Sequence, residues 1–204
     1  MRTLGWLAVT WCAGMALCAG QASQIPESKV TVCMRGGDDS EVISRARDTA
    51  SRMFLPVGVR LAWRSDRRFC RESKERAIMV SPSTQTPRSR LPGALACALP
   101  FEGVHVEVFL DRMRGAPEPI RALLLAHVLV HEITHLLEST DRHSETGVMK
   151  AHWDRGDFAR MTRQSLGFTP LDVALIHQGL AAWNAQRTQV PLAAARGSVS
   201  EPRP

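Results

Sequence analysis

The feature that most constrains this chain is a His-Glu-x-x-His motif, from His131 to His135, inside the largely apolar stretch 126–137. Residues four apart on a helix lie on one face, about 6 Å apart along the axis, so both imidazoles can bind one metal ion. Glu132 lies to the side, where it can take a proton from a metal-bound water without being a ligand. The motif therefore predicts a buried helix with His131 and His135 as metal ligands and Glu132 as catalytic base.

The predicted helix has two unlike faces. One is apolar, and the other gathers polar side chains, namely His127, His131, Thr134, His135 and Glu138. Buried polar groups without partners cost free energy, and a bound metal would satisfy two imidazoles. Two core histidines bonded to the backbone are the alternative. His127 lies about 12 Å along the axis from His135, so we predict that it is a core histidine and not a ligand.

A catalytic zinc ion needs a third protein ligand. After the helix, the sequence His143-Ser144-x-x-Gly147-x-Met149 is followed by Trp153. Together with His-Glu-Ile-x-His-Leu-Leu, this segment resembles the metzincin zinc peptidases, whose motif is HExxHxxGxxH/D with a methionine-bearing turn beyond it. It is more similar still to a group of secreted bacterial zinc peptidases. The resemblance implies a zincin fold, Zn²⁺, a peptide or protein substrate, His143 as third ligand and Met149 as the turn methionine.

Two positions depart from the metzincin motif. Glu138 stands where the helix-ending glycine belongs, and Asp141 occupies the third-ligand position. Asp141 therefore remains an alternative to His143, and Glu138 or Asp157 are further carboxylate alternatives. Each choice requires the helix to end near Ser139, so that the chain can turn back.

Zinc peptidases often use a Tyr, His or Arg to stabilise the oxyanion, and this chain contains no Tyr. His152 and Arg142 lie near the ligand segment in the sequence and are the candidates. An ordinary surface role is the alternative for each of them.

The rest of the chain predicts an α+β fold. It comprises a zincin-like small mixed sheet, with an N-terminal helix and the buried His131 helix packed on it, followed by a mostly helical C-terminal part. The alternation of apolar residues predicts strands at 29–35, 57–63, 77–80, 94–98 and 104–110. Helical spacing and capping residues predict helices at 42–54, 119–137 and 170–183. We expect 94–98 to be the edge strand and 104–110 to lie inside the sheet.

The N-terminus has the pattern of an export signal. Arg2 precedes an apolar stretch, 4–19, which is shorter than the ~20 residues of a spanning helix, and small residues precede a cleavage point after Ala22. We predict a signal peptide at 1–22, a single catalytic domain at 23–190 and a flexible tail at 191–204. The expected location is secreted or periplasmic, without stable membrane insertion, and we expect no other segment to span a membrane.

Removal of the signal peptide leaves Cys33, Cys70 and Cys97. In an oxidising compartment this odd count predicts one disulfide and one remaining thiol, with the pairing left open. The alternative is that all three are small buried hydrophobic residues. Their wide spacing is unlike that of cysteine-bound zinc.

The net charge of +6 comes from basic residues dispersed along the chain. They form no block and are not interleaved with aromatic residues, which argues against a nucleic-acid partner and against an arginine-rich anion-binding module. The sequence does not predict an oligomeric state. It favours a secreted zinc-dependent endopeptidase that hydrolyses peptide bonds with a Glu-activated, zinc-bound water. The alternative is a secreted zinc-stabilised binding protein or inactive peptidase homologue.

Overall fold

The computed structural model describes residues 27–34, 41–72, 77–98 and 104–188. The predicted signal peptide and the predicted tail both lie outside these residues. The prediction of a single domain at 23–190 remains a prediction.

Within these ranges, five strands form one sheet in the order β2-β1-β3-β5-β4. Strands β1, β2, β3 and β5 run parallel, and β4 pairs antiparallel with β5 at one edge. The strands are β1 Ser28–Met34, β2 Val59–Arg64, β3 Ile78–Ser83, β4 Ala96–Ala98 and β5 His105–Phe109. This arrangement confirms the small mixed sheet, with the edge strand near 94–98 and the strand near 104–110 inside it.

Strand β1 and the first half of β3 are buried on both faces, as expected for parallel strands that are covered on both sides. In β1 the consecutive residues Val32, Cys33 and Met34 are all buried, and in β3 Ile78 and Val80 are fully buried. A strand with one face in water would alternate apolar and polar residues. The central strands therefore form the core of the domain and fix the position of the helices on it.

In the described residues, five α-helices accompany the sheet: α1 Glu41–Phe54, α2 Arg67–Glu72, α3 Glu118–Glu138, α4 Arg155–Met161 and α5 Pro170–Thr188. The third helix, α3, carries the His-Glu-x-x-His motif and packs against α1, α5, β4 and β5. Its residues Leu125, Leu129 and Ile133 are fully buried. At Gly179 in α5, an added Cβ would lie 1.6 Å from the carbonyl oxygen of Leu137. Only glycine permits this close approach of the two helices.

By length and composition α3 could cross a membrane, contrary to the expectation that no segment beyond the N-terminus could do so. Its most apolar 18-residue window has a mean hydropathy of 1.4, but 78% of that window is buried inside the protein. A helix surrounded by protein needs the same apolar side chains as a helix surrounded by lipid. The burial of α3 is that of a core helix.

Two helices were not predicted. The segment that follows β2, where the sequence predicts neither a helix nor a strand, contains α2. The start of α2 is capped by the Asp66 carboxylate, which accepts a hydrogen bond from the Arg68 N–H at 2.8 Å. The helix α4 begins at Asp154, which forms a capping box with Asp157. Both helices are short, and local caps rather than apolar periodicity define them, so a search for helical periodicity does not find them.

The cysteines agree with one disulfide and one remaining thiol. Cys33 in β1 is bonded to Cys70 in α2, which ties that short helix to the sheet. Cys97 in β4 keeps its thiol, and the sulfur accepts a hydrogen bond from Arg90 Nη1 at 3.6 Å.

Candidate metal centre

The last turns of α3 bring one ring nitrogen of each of two imidazoles close together. The Nε2 atoms of His131 and His135 are 3.0 Å apart. On the far side of each ring, Nδ1 is 2.9 Å from a backbone carbonyl oxygen, that of Val148 for His131 and that of Thr140 for His135. Because a carbonyl can only accept, both Nδ1 atoms carry the proton, and both Nε2 atoms present a lone pair.

This pair fits a metal ion. Burial lowers the pKa of His131 and of His135 to about 4, so both rings are neutral at neutral pH. Two neutral nitrogen lone pairs at 3.0 Å repel each other unless a cation lies between them. Two nitrogen atoms that bind the same zinc ion at the usual distance, with a tetrahedral angle between them, lie about 3.3 Å apart. The separation of the two Nε2 atoms is close to this value.

A third imidazole joins the pair from the loop after α3. The ring centroid of His143 lies 5.2 Å from that of His131 and 4.9 Å from that of His135. The candidate ligand atoms of the three residues all lie within 4.8 Å of one another. In the described part of the chain, these three histidines form the group that could hold a metal, and Asp141 is not a member of it. Asp141 lines the same cleft.

Glu132 lies beside the three histidines and lines the cleft with them. Burial raises its pKa to about 7, against the opposing effect of a hydrogen bond with the backbone of Ala98 in β4. A carboxyl group whose pKa is near the ambient pH can both take up and release a proton. Its position and pKa therefore suit the predicted base, and the edge strand helps to hold it.

The cleft has a volume of about 510 Å³ and is mostly lined by apolar groups. One wall is α3, with Val128 beside the histidines, and another is β4 with the loop that precedes it. The segment 150–153 and Phe158 of α4 complete the lining. The histidines and Glu132 are thus reached through a space large enough for several side chains of a ligand.

The loop that carries His143 is tightly folded. Ser144 N–H donates to the Met149 carbonyl at 2.8 Å, and Val148 N–H donates to Gly167 O at 2.9 Å. Gly147 has a φ of 79°, and a Cβ there would lie 2.4 Å from the Gly167 oxygen. Met149 is fully buried, and its role as a turn methionine remains an expectation from the resemblance.

Glu138 does not approach the histidines as a ligand. Both of its carboxylate oxygens are buried without a hydrogen-bond partner, and the nearest basic group is Arg142 Nη2, at 3.8 Å. Burial raises the pKa of Glu138 to about 7. The side chain points towards Arg142 because residue 138 is still helical, and the chain turns only at Ser139.

Ser139 ends α3 in a left-handed conformation, with φ 52° and ψ 42°. This confirms the predicted end of the helix and shows how the chain turns without the motif's glycine. Left-handed backbone costs a non-glycine residue about 1–2 kcal/mol.

Ser139→Gly removes that cost, but glycine also gives the unfolded chain more freedom, which offsets about 0.4–1 kcal/mol of the gain. We therefore expect Ser139→Gly to raise the free energy of unfolding by about 0.5–1 kcal/mol, measured by urea denaturation. The control Ser139→Ala keeps the Cβ and should give no gain. Equal stability of the two variants would contradict the assigned strain.

Asp157 and Arg142 also form hydrogen bonds with other residues and do not approach the three histidines as ligands. The buried Asp157 carboxylate accepts hydrogen bonds from Lys150 Nζ at 2.7 Å and from Arg160, so it is not a ligand. Arg142 bonds Asp172, Ser144 and its own neighbour's carbonyl, and it is not among the described residues that line the cleft.

Of the two oxyanion candidates, His152 lines the cleft. The exposed side chain of His152 is therefore the candidate that the fold leaves beside the metal centre.

His127 is fully buried, and both of its ring nitrogens have protein partners. Nδ1 lies 2.7 Å from the Leu123 carbonyl oxygen, and Nε2 accepts the Leu166 N–H at 3.1 Å. The prediction of a core histidine is confirmed.

The choice of third ligand gives a direct test. Zinc affinity should fall far more in His143→Ala than in Asp141→Ala, because only the imidazole of His143 reaches the other two. Equilibrium competition with a chromophoric chelator measures both constants. The reverse order of the two affinities would assign the metal to Asp141.

No family model matches the sequence, and no curated protein is similar to it. Solved structures do resemble it in fold. The archaemetzincin of Methanopyrus kandleri superposes with a TM-score of 0.53 at 15% identity, over 75% of this chain and 96% of that one. A zinc-dependent peptidase from Methanocorpusculum labreanum gives a TM-score of 0.52 at 11% identity, over 72% of this chain and 99% of that one.

At such low identity the similarity establishes the fold alone. The mixed sheet with its buried motif helix and helical C-terminal part confirms the predicted α+β, zincin-like class. The chain therefore has the fold of these two structures.

Proposed function

We propose that this chain is a secreted or periplasmic zinc-dependent metallopeptidase. The observation that carries the proposal is the pair of Nε2 lone pairs facing each other at 3.0 Å, with His143 and Glu132 beside them in an open cleft. A hydrogen-bonded core pair would not need both proton-free nitrogens on the same side. The names of the structural neighbours, archaemetzincin and zinc-dependent peptidase, support the same activity.

His131, His135 and His143 would hold the ion through their imidazole nitrogens. Zinc in such a site supplies a Lewis acid that lowers the pKa of water and polarises a carbonyl group. Glu132 would accept the proton of the attacking water and pass it to the leaving amine. The contact with the Ala98 backbone holds the carboxylate beside the histidines while it does so.

The edge strand β4 supports a peptide as the substrate. One side of β4 pairs with β5, and the residues of β4 line the cleft that contains the histidines. An extended peptide can add to such an edge through backbone hydrogen bonds, whatever its side chains are. A substrate bound in this way would be suited to cleavage within a chain, as in an endopeptidase.

Two features support export. The apolar N-terminal stretch has the length of a signal sequence. The Cys33–Cys70 bond is of a kind that persists in oxidising compartments and is rare in the cytosol.

The proposal is tested with purified mature protein. It should contain about one zinc ion per chain and hydrolyse casein, and a chelator should abolish hydrolysis until zinc is restored. Zinc without hydrolysis of any unfolded protein would favour the zinc-stabilised binding protein. A protein that neither contains zinc nor melts at a higher temperature when zinc is added would refute the metal site.

A further inference from the structure

His143 differs from the other two histidines in how its ring is held. The rings of His131 and His135 each donate Nδ1–H to a backbone carbonyl. The ring of His143 makes no hydrogen bond with any described part of the chain, and it is the most exposed of the three. Its place in the site therefore depends on the backbone that carries it.

One buried carboxylate fixes that backbone on both sides of His143. Asp172 Oδ1 accepts a hydrogen bond from Ser144 Oγ at 2.6 Å and another from Arg142 Nη2. Arg142 Nη1 in turn donates to the carbonyl oxygen of His143 at 3.3 Å and to Ser144 Oγ at 3.1 Å. The residues before and after His143, and its own carbonyl group, are thus linked to Asp172.

Asp172 is itself rigidly placed. It is fully buried at the start of α5, and its Oδ2 accepts the Thr169 N–H at 2.7 Å, while Thr169 Oγ1 accepts the Asp172 N–H at 3.2 Å. Burial disfavours its charge, but the hydrogen bonds from Ser144, Thr169 and Arg142 outweigh that effect and hold the pKa of Asp172 below its ordinary value. The group is therefore an anion at neutral pH.

A helix cap does not require the hydrogen bonds that Asp172 Oδ1 accepts from Ser144 and Arg142. The capping box of α5 uses Oδ2 and the Thr169 side chain, whereas Oδ1 bonds, among the described residues, Ser144 and Arg142 of the loop. Hydrogen bonds to an ionised carboxylate are about twice as strong as neutral ones. One oxygen of Asp172 thus starts the helix, and the other anchors the loop to that helix.

We infer that Asp172 is a positioning residue, which presents His143 to the two histidines of α3. This role rests on the proposed function, in which His143 is the third zinc ligand. Residues that orient metal ligands from outside the coordination sphere typically change metal affinity by about 10–100-fold.

The test compares two halves of the same capping box. Asp172→Asn keeps the shape of the side chain and removes the charge that binds Arg142. Thr169→Ala, the matched control, removes the other half of the box and leaves the bonds to the loop. Both should lower the melting temperature. In competition with a chromophoric chelator, Asp172→Asn should bind zinc about 10–100-fold more weakly, and Thr169→Ala should bind it with wild-type affinity.

A second readout is the visible spectrum of the Co²⁺-substituted protein, which depends on the number and geometry of the ligands. The spectrum of Asp172→Asn should move towards that of His143→Ala, and the spectrum of Thr169→Ala should match the wild type. A purely structural role for Asp172 would not produce this difference, since both variants weaken the same helix start.

Ser144→Ala is the milder variant if Asp172→Asn does not fold. It removes one hydrogen bond to Oδ1 and should weaken zinc binding in the same direction, by several-fold. If Asp172→Asn folds, wild-type zinc affinity together with a wild-type cobalt spectrum in that variant would overturn the positioning role. If it does not fold, the same two results in Ser144→Ala would overturn it.

The wild type and His143→Ala, measured in the same series, separate this role from the proposed function. A wild-type protein that binds no zinc would refute the metal site. Wild-type affinity in His143→Ala would refute His143 as a ligand, and the positioning role would fall with it.

Discussion

Glu132→Gln should reduce peptide hydrolysis by about 10²–10⁴-fold, the usual contribution of a general base, while zinc stays bound. Gln has the length of Glu, and its carbonyl oxygen can keep the contact with the Ala98 backbone, so the fold and the three histidines are undisturbed. It cannot take up a proton at neutral pH. The measurement is the initial rate of casein hydrolysis at equal zinc content, determined for each preparation.

The matched control is Glu145→Gln, which makes the same chemical change at an exposed position of the loop after α3. Its rate should equal that of the wild type. Wild-type hydrolysis by Glu132→Gln would show that another group moves the proton, even if the protein contains zinc. If the chain is a zinc-stabilised binding protein, there is no hydrolysis to lose.

Removing one of the two histidine ligands on α3 should have an equally large effect on zinc affinity. His135→Ala should weaken zinc binding by more than about 100-fold, beyond the range typical of changes outside the coordination sphere. His127→Ala should keep the metal, because both nitrogens of His127 are bonded to other parts of the protein. Zinc content after dialysis, measured below the melting temperature of each variant, distinguishes the two.

The free energy of unfolding should fall more in His127→Ala than in His135→Ala. His127 is fully buried, so its replacement leaves a cavity and unpaired backbone groups. His135→Ala removes a ring that faces the cleft and should cost less stability in the absence of metal. Loss of zinc from both variants to the same extent would mean that the helix face has been assigned wrongly.

Local patterns were sufficient to predict most of the fold. Apolar alternation located the strands, and the motif with its apolar neighbours located α3. The capping residues Thr169 and Asp172 marked the start of α5. These signals lie within a few residues of the element they define, so one sequence contains them in full.

Some side-chain roles depend on contacts outside the element that carries the residue. Arg142 was a candidate for the oxyanion because it is close to the ligands in sequence, but it turns towards Asp172, which lies thirty positions later. Similarly, Glu138 lies on the polar face of α3 and yet packs against Arg142. The order of residues shows which side chains share a helix face, and it does not show what that face meets.

The backbone carbonyls of Thr140 and Val148 are another part of the site that the sequence could not predict. They set the tautomers of His135 and His131, and no sequence motif marks them because every residue has a carbonyl group. Ser139 shows the same limit, since a left-handed serine replaces the glycine that the motif leads one to expect.

The central claim is that three imidazoles hold one zinc ion beside Glu132. A crystal structure of the zinc-loaded protein, with anomalous data collected on both sides of the zinc edge, tests it most directly. The account predicts a single anomalous peak bonded to nitrogen atoms of His131, His135 and His143 at about 2.0–2.1 Å, with Glu132 outside the coordination sphere. A peak elsewhere on the molecule, or one bonded to Glu132 or Asp141 in place of His143, would contradict it.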